Sequence, residues 1–298
     1  MGLFGRGRRT FGEGDHREVV ALLQREFAEH GIETVPDDGA LRAADGRTYG
    51  TAGIAHLASL NPRRRWGRLV AAHVAQLLVA EATPEARSLD EVRDTLYLRV
   101  VHVETLAGGD PGIESAARPL VGDLVVLPAI DHPEHVSLVD SAETVGLLGG
   151  WDAVREVGLA NLRRLRPDQT TTIESQGATI HLSGGGFMNA SRALVMDDLL
   201  REDFGVERPR GGVLVVLPNR QVVALHVLGG PELPQAVQAL LGIASEESDQ
   251  PGGVSEHVYL VRDGVWEQVT HHEPDGSTSV RVEGELERAM RDLGLLDD

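Results

Sequence analysis

Arg118-Pro-Leu-Val-Gly-Asp-Leu-Val-Val-Leu-Pro128 and Arg208-Pro-Arg-Gly-Gly-Val-Leu-Val-Val-Leu-Pro218 align without a gap at an offset of 90 residues, and eight of their eleven positions are identical. Short runs of Val and Leu bounded by Gly and Pro read as buried strands, and each copy opens a hairpin. The shared Arg-Pro, Gly and terminal Pro argue for a duplication over the chance meeting of two Val/Leu-rich strands. The expectation is an α+β protein of two related halves, each helix–strand–strand–helix–strand–strand. Its sheets are largely antiparallel, with helices packed on one face. The seam falls at Val145–Gly150, where Leu-Leu-Gly-Gly precedes Trp151. It divides an N-terminal half, 15–145, from a C-terminal half, 146–298, with a flexible tail over 1–14.

Elements on either side of the repeat follow from periodicity. Upstream, Val19, Leu22, Leu23 and Phe27 predict a helix from about His16 to His30, with Asp15 and Glu18 as its capping pair and Gly31 at its end. Asp37–Asp38–Gly39 and Asp45–Gly46 mark turns between short extended pieces. A second helix starts near Asn61–Pro62, shows the stripe Trp66, Leu69, Val70, His73, Val74, Leu77 and Leu78, and stops before Pro84. Strands are expected at Tyr97–Val103, Leu124–Leu127 and His135–Val139. Beyond the seam come a helix over Asp152–Leu165, an extended stretch Ala178–Leu182 and a helix from Asn189 to about Leu200. A hairpin of Val213–Leu217 with Gln221–Val227 follows, then a helix at Glu232–Leu241, strands flanking Asp263–Gly264, and a closing helix with Leu286, Met290 and Leu293.

Composition excludes several chemistries. The 298 residues hold 46 acidic and 28 basic side chains, for a formal charge of −18, and no cysteine; every basic residue is Arg. Thiolate nucleophiles, cysteine zinc sites and lysine-based catalysis are therefore ruled out. A field of that sign disfavours nucleic acid and anionic lipid as partners of the whole chain. Arginine in place of lysine, with abundant Ala and Gly, points to a GC-rich bacterial genome. Leu69–Ala80, interrupted by His73 and Gln76, is too short to span a bilayer. No signal-peptide core follows Arg6, Arg8 and Arg9, and Leu3 and Phe4 beside them offer at most a weak contact. A cytoplasmic protein is expected.

Three blocks of the second half, Ala160-Asn-Leu-Arg-Arg-Leu165, Gly186-Phe-Met-Asn-Ala-Ser-Arg-Ala-Leu194 and Gly212-Val-Leu-Val-Val-Leu-Pro-Asn-Arg220, together with Val258-Tyr-Leu-Val-Arg-Asp-Gly-Val-Trp266, resemble the YtpQ-like bacterial family of unknown function (DUF-1444). The likeness covers about 96–269. Where the family pattern ends Pro-x-Arg-Asp, this chain has Pro218-Asn219-Arg220-Gln221, without the carboxylate. The resemblance implies a fold and a candidate surface, and no reaction.

The glycine run that includes Gly185 and Gly186, set between a strand and the helix start Asn189-Ala-Ser191-Arg192, is the richest local feature. A glycine turn lets backbone amides approach a ligand, a helix start carries free N–H groups, and Arg192 adds a bidentate donor for phosphate or carboxylate. The plain alternative has Asn189 or Ser191 capping the helix and Arg192 in solvent. Arg220 could reach the same place from the hairpin tip, or be an ordinary turn arginine. Asn161, on the stripe with Val154, Val157 and Leu165, reads as a buried residue bonded to neighbouring backbone before it reads as a ligand contact.

Asp131-His-Pro-Glu-His135 and His271-His-Glu-Pro-Asp275 gather imidazoles and carboxylates without zinc-protease spacing, and read as polar loops. His73 reads as a core histidine. Ser183 and Ser191 lack the nucleophile-elbow context. Asn61-Pro-Arg-Arg-Arg65 is a small basic patch at a helix start. No metal, nucleotide or covalent cofactor is expected. The favoured function is a non-catalytic protein-binding or adaptor module. The rival is an enzyme or sensor for a small anionic metabolite held by Gly185, Gly186, Asn189, Ser191, Arg192 and Arg220.

Overall fold

The computed structural model describes residues 11–82, 86–106, 112–133, 135–247, 250 and 252–296. Two compact units result, Met1–Pro84 and Glu85–Asp298. The first contains α1 (Glu13–Glu29), the antiparallel strands β1 (Thr34–Asp37), β2 (Ala40–Ala43) and β3 (Thr48–Gly50), then α2 (Ala52–Ser59) and α3 (Trp66–Ala82). Val19, Leu23 and Phe27 of α1 meet Val70 and Val74 of α3, and Phe27 stacks on Tyr49 at 4.2 Å. Trp66 Nε1 donates to the Ala58 carbonyl at 2.8 Å, joining α2 to α3. The first helix begins three residues before the expected start: Gly12 is its N-cap and Asp15 accepts the Gly12 amide at 3.2 Å, so Glu13 and Gly14 belong to the helix and not to a tail. Residues 1–10 of the expected tail, with Arg6, Arg8 and Arg9, lie outside the described residues.

The second unit runs α4 (Leu89–Val92), β4 (Leu96–His102), α5 (Ile113–Ala116), β5 (Arg118–Val121), β6 (Leu124–Asp131), β7 (Val136–Leu138), α6 (Ala142–Leu147), α7 (Trp151–Arg164), β8 (Gln169–Ser175) and β9 (Ala178–Gly184). Then come α8 (Met196–Leu199), β10 (Val213–Val216), β11 (Val222–Val227), α9 (Leu233–Glu247), β12 (Val258–Arg262), β13 (Val265–Gln268), β14 (Thr270–His272), β15 (Thr278–Val280) and α10 (Gly284–Asp292). One sheet has the order β4-β6-β5, with β7 also paired to β6; the larger one has the order β13-β12-β10-β11-β9-β8. Among the described residues every strand pair is antiparallel. This is an α+β protein. No helix among the described residues is long and apolar enough to cross a membrane.

Burial explains the apolar runs. In β10, Val213 and Val215 enter one core with β4, β6 and α7, whereas Leu214 and Val216 enter another with α9 and α10. The central strand is dry on both faces, so it has no polar alternation. Helices α9 and α10 pack on one face of the larger sheet, and its second face, buried in the core with β4, β6 and α7, is not left to solvent either. Nor does the structure part at Val145–Gly150. Val145, Leu148 and Val154 lie in one core with both sheets, and Gly149 and Gly150, at φ of 92° and 88°, turn the chain sharply between α6 and α7. The chain divides near residue 84 instead.

The repeated segments are alike only locally. Gly122 and Gly212 both take positive φ, 54° and 78°, ahead of a strand paired on both edges. Arg118–Val121 forms β5 and pairs with the strand it precedes, whereas residues 208–211 form no strand and β10 pairs with β11 and β12. The two-half repeat of the whole fold is not seen.

Candidate functional site

Strand β9 delivers Ser183 and Gly184 to the glycine turn, and Ala190–Val195 follows as a 3-10 helix. The chain tightens there and then loosens through α8 into a π-helical turn, Leu200–Phe204, that ends at Gly205 with φ 67°. A uniform helix over 189–200 is not formed. Apart from that of Gly186, the amides proposed for an anion are already engaged. Gly185 N donates to the Gln221 carbonyl (3.0 Å), Asn189 N to Gly186 (3.0 Å), Ala190 N to Arg220 (3.1 Å), Ser191 N to Met188 (3.1 Å) and Arg192 N to Asn189 (3.0 Å).

The side chains are engaged too. Asn189 does not cap the helix; its Nδ2 donates to the carbonyls of Ser183 and Gln221, each at 2.9 Å, and ties β9 to the 217–221 loop. Ser191 Oγ accepts the Val100 amide at 3.0 Å and fixes β4. Arg192 is neither in solvent nor aimed at a ligand. Its Nη1 and Nη2 meet the two carboxylate oxygens of Asp203 at 2.6 and 2.7 Å, with Ser183 Oγ donating to the same carboxylate at 3.1 Å. Asn161 donates to the carbonyls of Arg93 (2.8 Å) and Leu96 (2.6 Å) and accepts from Arg164, which locks α7 to the start of β4. The polar centre is thus the fastening between β4, β9 and the 217–221 loop.

Of the two arginines of the candidate site, Arg220, unlike Arg192, pairs with no carboxylate among the described residues. Its backbone is pinned, N to the Gly252 carbonyl at 2.9 Å and O to Ala190 N, while its guanidinium lies 3.9 Å from the centre of the Phe187 ring. Burial pushes its pKa down. Asn219 beside it is buried and reaches Glu247, so the segment is more than a solvated turn. Sequence reasoning passed over Arg99 of β4. It stands between the buried Leu98 and Val100, and burial together with the charge of Arg220 pushes its pKa down to about 10. A lone Arg inside the apolar run Tyr97–Val103 was the available signal. Phe187, 42% exposed beside that arginine, was the other.

His132 and His135 stack at 4.4 Å and His132 Nε2 meets Ser137 Oγ at 2.9 Å, while Glu134 lies outside the described residues. His271 and His272 lie in β14, and Asp275 holds the Ser277 amide at 2.9 Å. Among the described residues no group of three or more such side chains is placed to hold a metal ion. His73 is half-buried and its pKa is pushed down by burial. Arg63 of the basic patch pairs with Glu18.

Comparison with family models, curated proteins and solved structures finds no match for this chain.

Proposed function

We propose that this protein is a non-catalytic protein-binding module that takes an extended segment of its partner onto the open edge of the six-stranded sheet. The observation that carries this reading is β8. Gln169–Glu174 are exposed throughout, and among the described residues the strand pairs with β9 alone. Gln176 and Gly177, at φ of 53° and 89°, form a two-residue turn, so Ser175 and Ala178 close the ladder. In the alternation of an antiparallel pair, Thr172 and Glu174 then turn their N–H and C=O groups outward. Three consecutive threonines and Ile173 favour extended backbone, and no Pro or Lys blocks the edge. Such an edge accepts a strand through main-chain hydrogen bonds. The charge of −18 favours a basic segment. The locked centre of Ser183, Asn189, Ser191, Arg192 and Asp203 supports the same reading, because its polar groups act on one another.

Affinity capture with the parent chain and with Thr172→Pro tests it. Proline removes an outward N–H and leaves the β8–β9 ladder intact. The expected result is a partner retained by the parent, lost by the variant, and protecting β8 amides from hydrogen exchange. A partner retained equally by both, or protecting another surface, overturns the proposal.

A further inference from the structure

Arg99 lies near enough to Arg220 for the charge of one to act on the other. Arg99 projects from β4 and Arg220 from the loop between β10 and β11, and among the described residues neither forms an ion pair. The Nε of each is buried without a hydrogen-bond partner. Adjacent residues hold both in place: Ser191 Oγ takes the amide of Val100, next to Arg99, and Ala190 N donates to the carbonyl of Arg220. The chain therefore spends hydrogen bonds to bring two like charges together. Burying unpaired cations is costly, and placing them side by side adds repulsion. Burial and the neighbouring charge push Arg99 well below the ordinary arginine value. A dianion between the two removes both penalties.

The surroundings indicate what else the ligand carries. Phe187 presents one part of its ring to Arg220 and, with Met188, Leu165, His132, His135 and Asp131, lines a cavity of about 390 Å3. Apolar walls and stacked imidazoles suit a compact planar or apolar group better than an inorganic ion alone.

We infer that Arg99 and Arg220 form a binding site for the phosphoryl group of a small phosphate monoester, whose organic part lies against Phe187. A carboxylate carries one charge and satisfies a single guanidinium fork, whereas a phosphoryl dianion offers oxygens and charge enough for two. This site is distinct from the β8 edge and does not depend on it.

Calorimetric titration with phenyl phosphate, inorganic phosphate and benzoate tests the assignment, with melting temperature as a second readout. Phenyl phosphate is expected to bind at least tenfold more tightly than either of the others. Arg99→Met and Arg220→Met are each expected to weaken it at least tenfold. Phe187→Ala, a change at an exposed ring, is expected to bring phenyl phosphate down to the affinity of inorganic phosphate. Arg99→Met is further expected to raise the melting temperature of the ligand-free protein, because it removes an uncompensated cation; a structural arginine would lower it. Arg220→Lys keeps the charge and loses the fork, so weaker binding is expected there if Arg220→Met does not fold. Absence of saturable phenyl phosphate binding, or undiminished binding in the arginine variants, overturns the inference. Tight binding by a phosphoserine peptide with none by phenyl phosphate also overturns it, in favour of a protein ligand.

Discussion

Asp203 receives both terminal nitrogens of Arg192, at 2.6 and 2.7 Å, with the two side chains 1% and 2% exposed. The pair joins the start of the 3-10 helix to the π-helical turn eleven residues later, and Ser183 Oγ draws β9 into the same cluster. Removing one member strands a buried charge, and that costs far more than the intact pair contributes. Asp203→Ala should therefore lower stability by about 3–5 kcal/mol. The double change Arg192→Met with Asp203→Leu should recover most of that loss, since an apolar pair of similar volume removes both desolvation penalties. Urea denaturation of the three proteins checks both statements. Equal losses in the single and double variants would show that hydrogen bonding, and not charge, holds the cluster.

Gly158 sits inside α7 where glycine has no conformational role, and an alanine at an open helical site would be the better helix former. Its reason is contact. A Cβ there would lie 2.8 Å from Leu98 Cγ and 3.0 Å from the Leu98 amide nitrogen. The obstacle includes the backbone of β4, which its seven-position pairing with β6 keeps from swinging aside. Gly158→Ala should cost about 1–3 kcal/mol through overpacking, read as a lower urea midpoint. Gly53 and Gly67 have no atom within 4 Å of such a Cβ, so alanine at either should be neutral or slightly stabilising.

These two cases show where sequence reading reaches and where it stops. Leu124–Leu127 and Leu214–Leu217 are legible as buried strands because burial on both faces removes every polar interruption, and the Asp263–Gly264 turn is legible because both residues take positive φ. Strand β8 is not legible. Gln169-Thr-Thr-Thr-Ile-Glu-Ser175 lies at an edge with nothing buried, so it has no hydrophobic period to read. The halves proposed from the repeat fail because identical strands acquire different neighbours. Around the glycine turn, neither reading of Arg192, as a ligand donor or as a solvent-facing side chain, reaches its buried pairing, because Asp203 sits eleven residues away in a turn of irregular pitch. Arg99 lay in plain view within β4; what makes it notable is Arg220, 121 positions on, and only folding brings them together.

His257 links stability to pH. Its Nδ1 is buried without a hydrogen-bond partner, its ring lies 4.4 Å from that of His272, and burial followed by the charges of His272 and His271 pushes its pKa down. Asp123 and Glu256 oppose the shift without cancelling it. A base whose folded pKa lies below its unfolded value binds more protons when unfolded, so stability is complete above the unfolded value of about 6.5 and falls as pH drops below it. His257→Gln should flatten the stability profile between pH 7 and pH 5. Urea midpoints at several pH values in that window provide the measurement, and an unchanged slope would move the effect to His181, His132 or His73, which are shifted the same way.

Asn161 distinguishes a fastening from a ligand contact. Its amide nitrogen donates to the carbonyls of Arg93 and Leu96, and its oxygen accepts from Arg164, so every polar atom of the side chain is used within the fold. Both carbonyls lie where β4 begins, and α7 has no other side chain that supplies two donors there. Asn161→Leu fills much the same volume and provides no donor. It leaves two carbonyls short of a partner, at about 1–3 kcal/mol for each buried group left unsatisfied. The expected outcome is a clear fall in urea midpoint together with faster amide exchange confined to the start of β4 and the facing turn of α7. A variant with full stability and unchanged exchange would release Asn161 from this role and return it to the ligand-facing candidates.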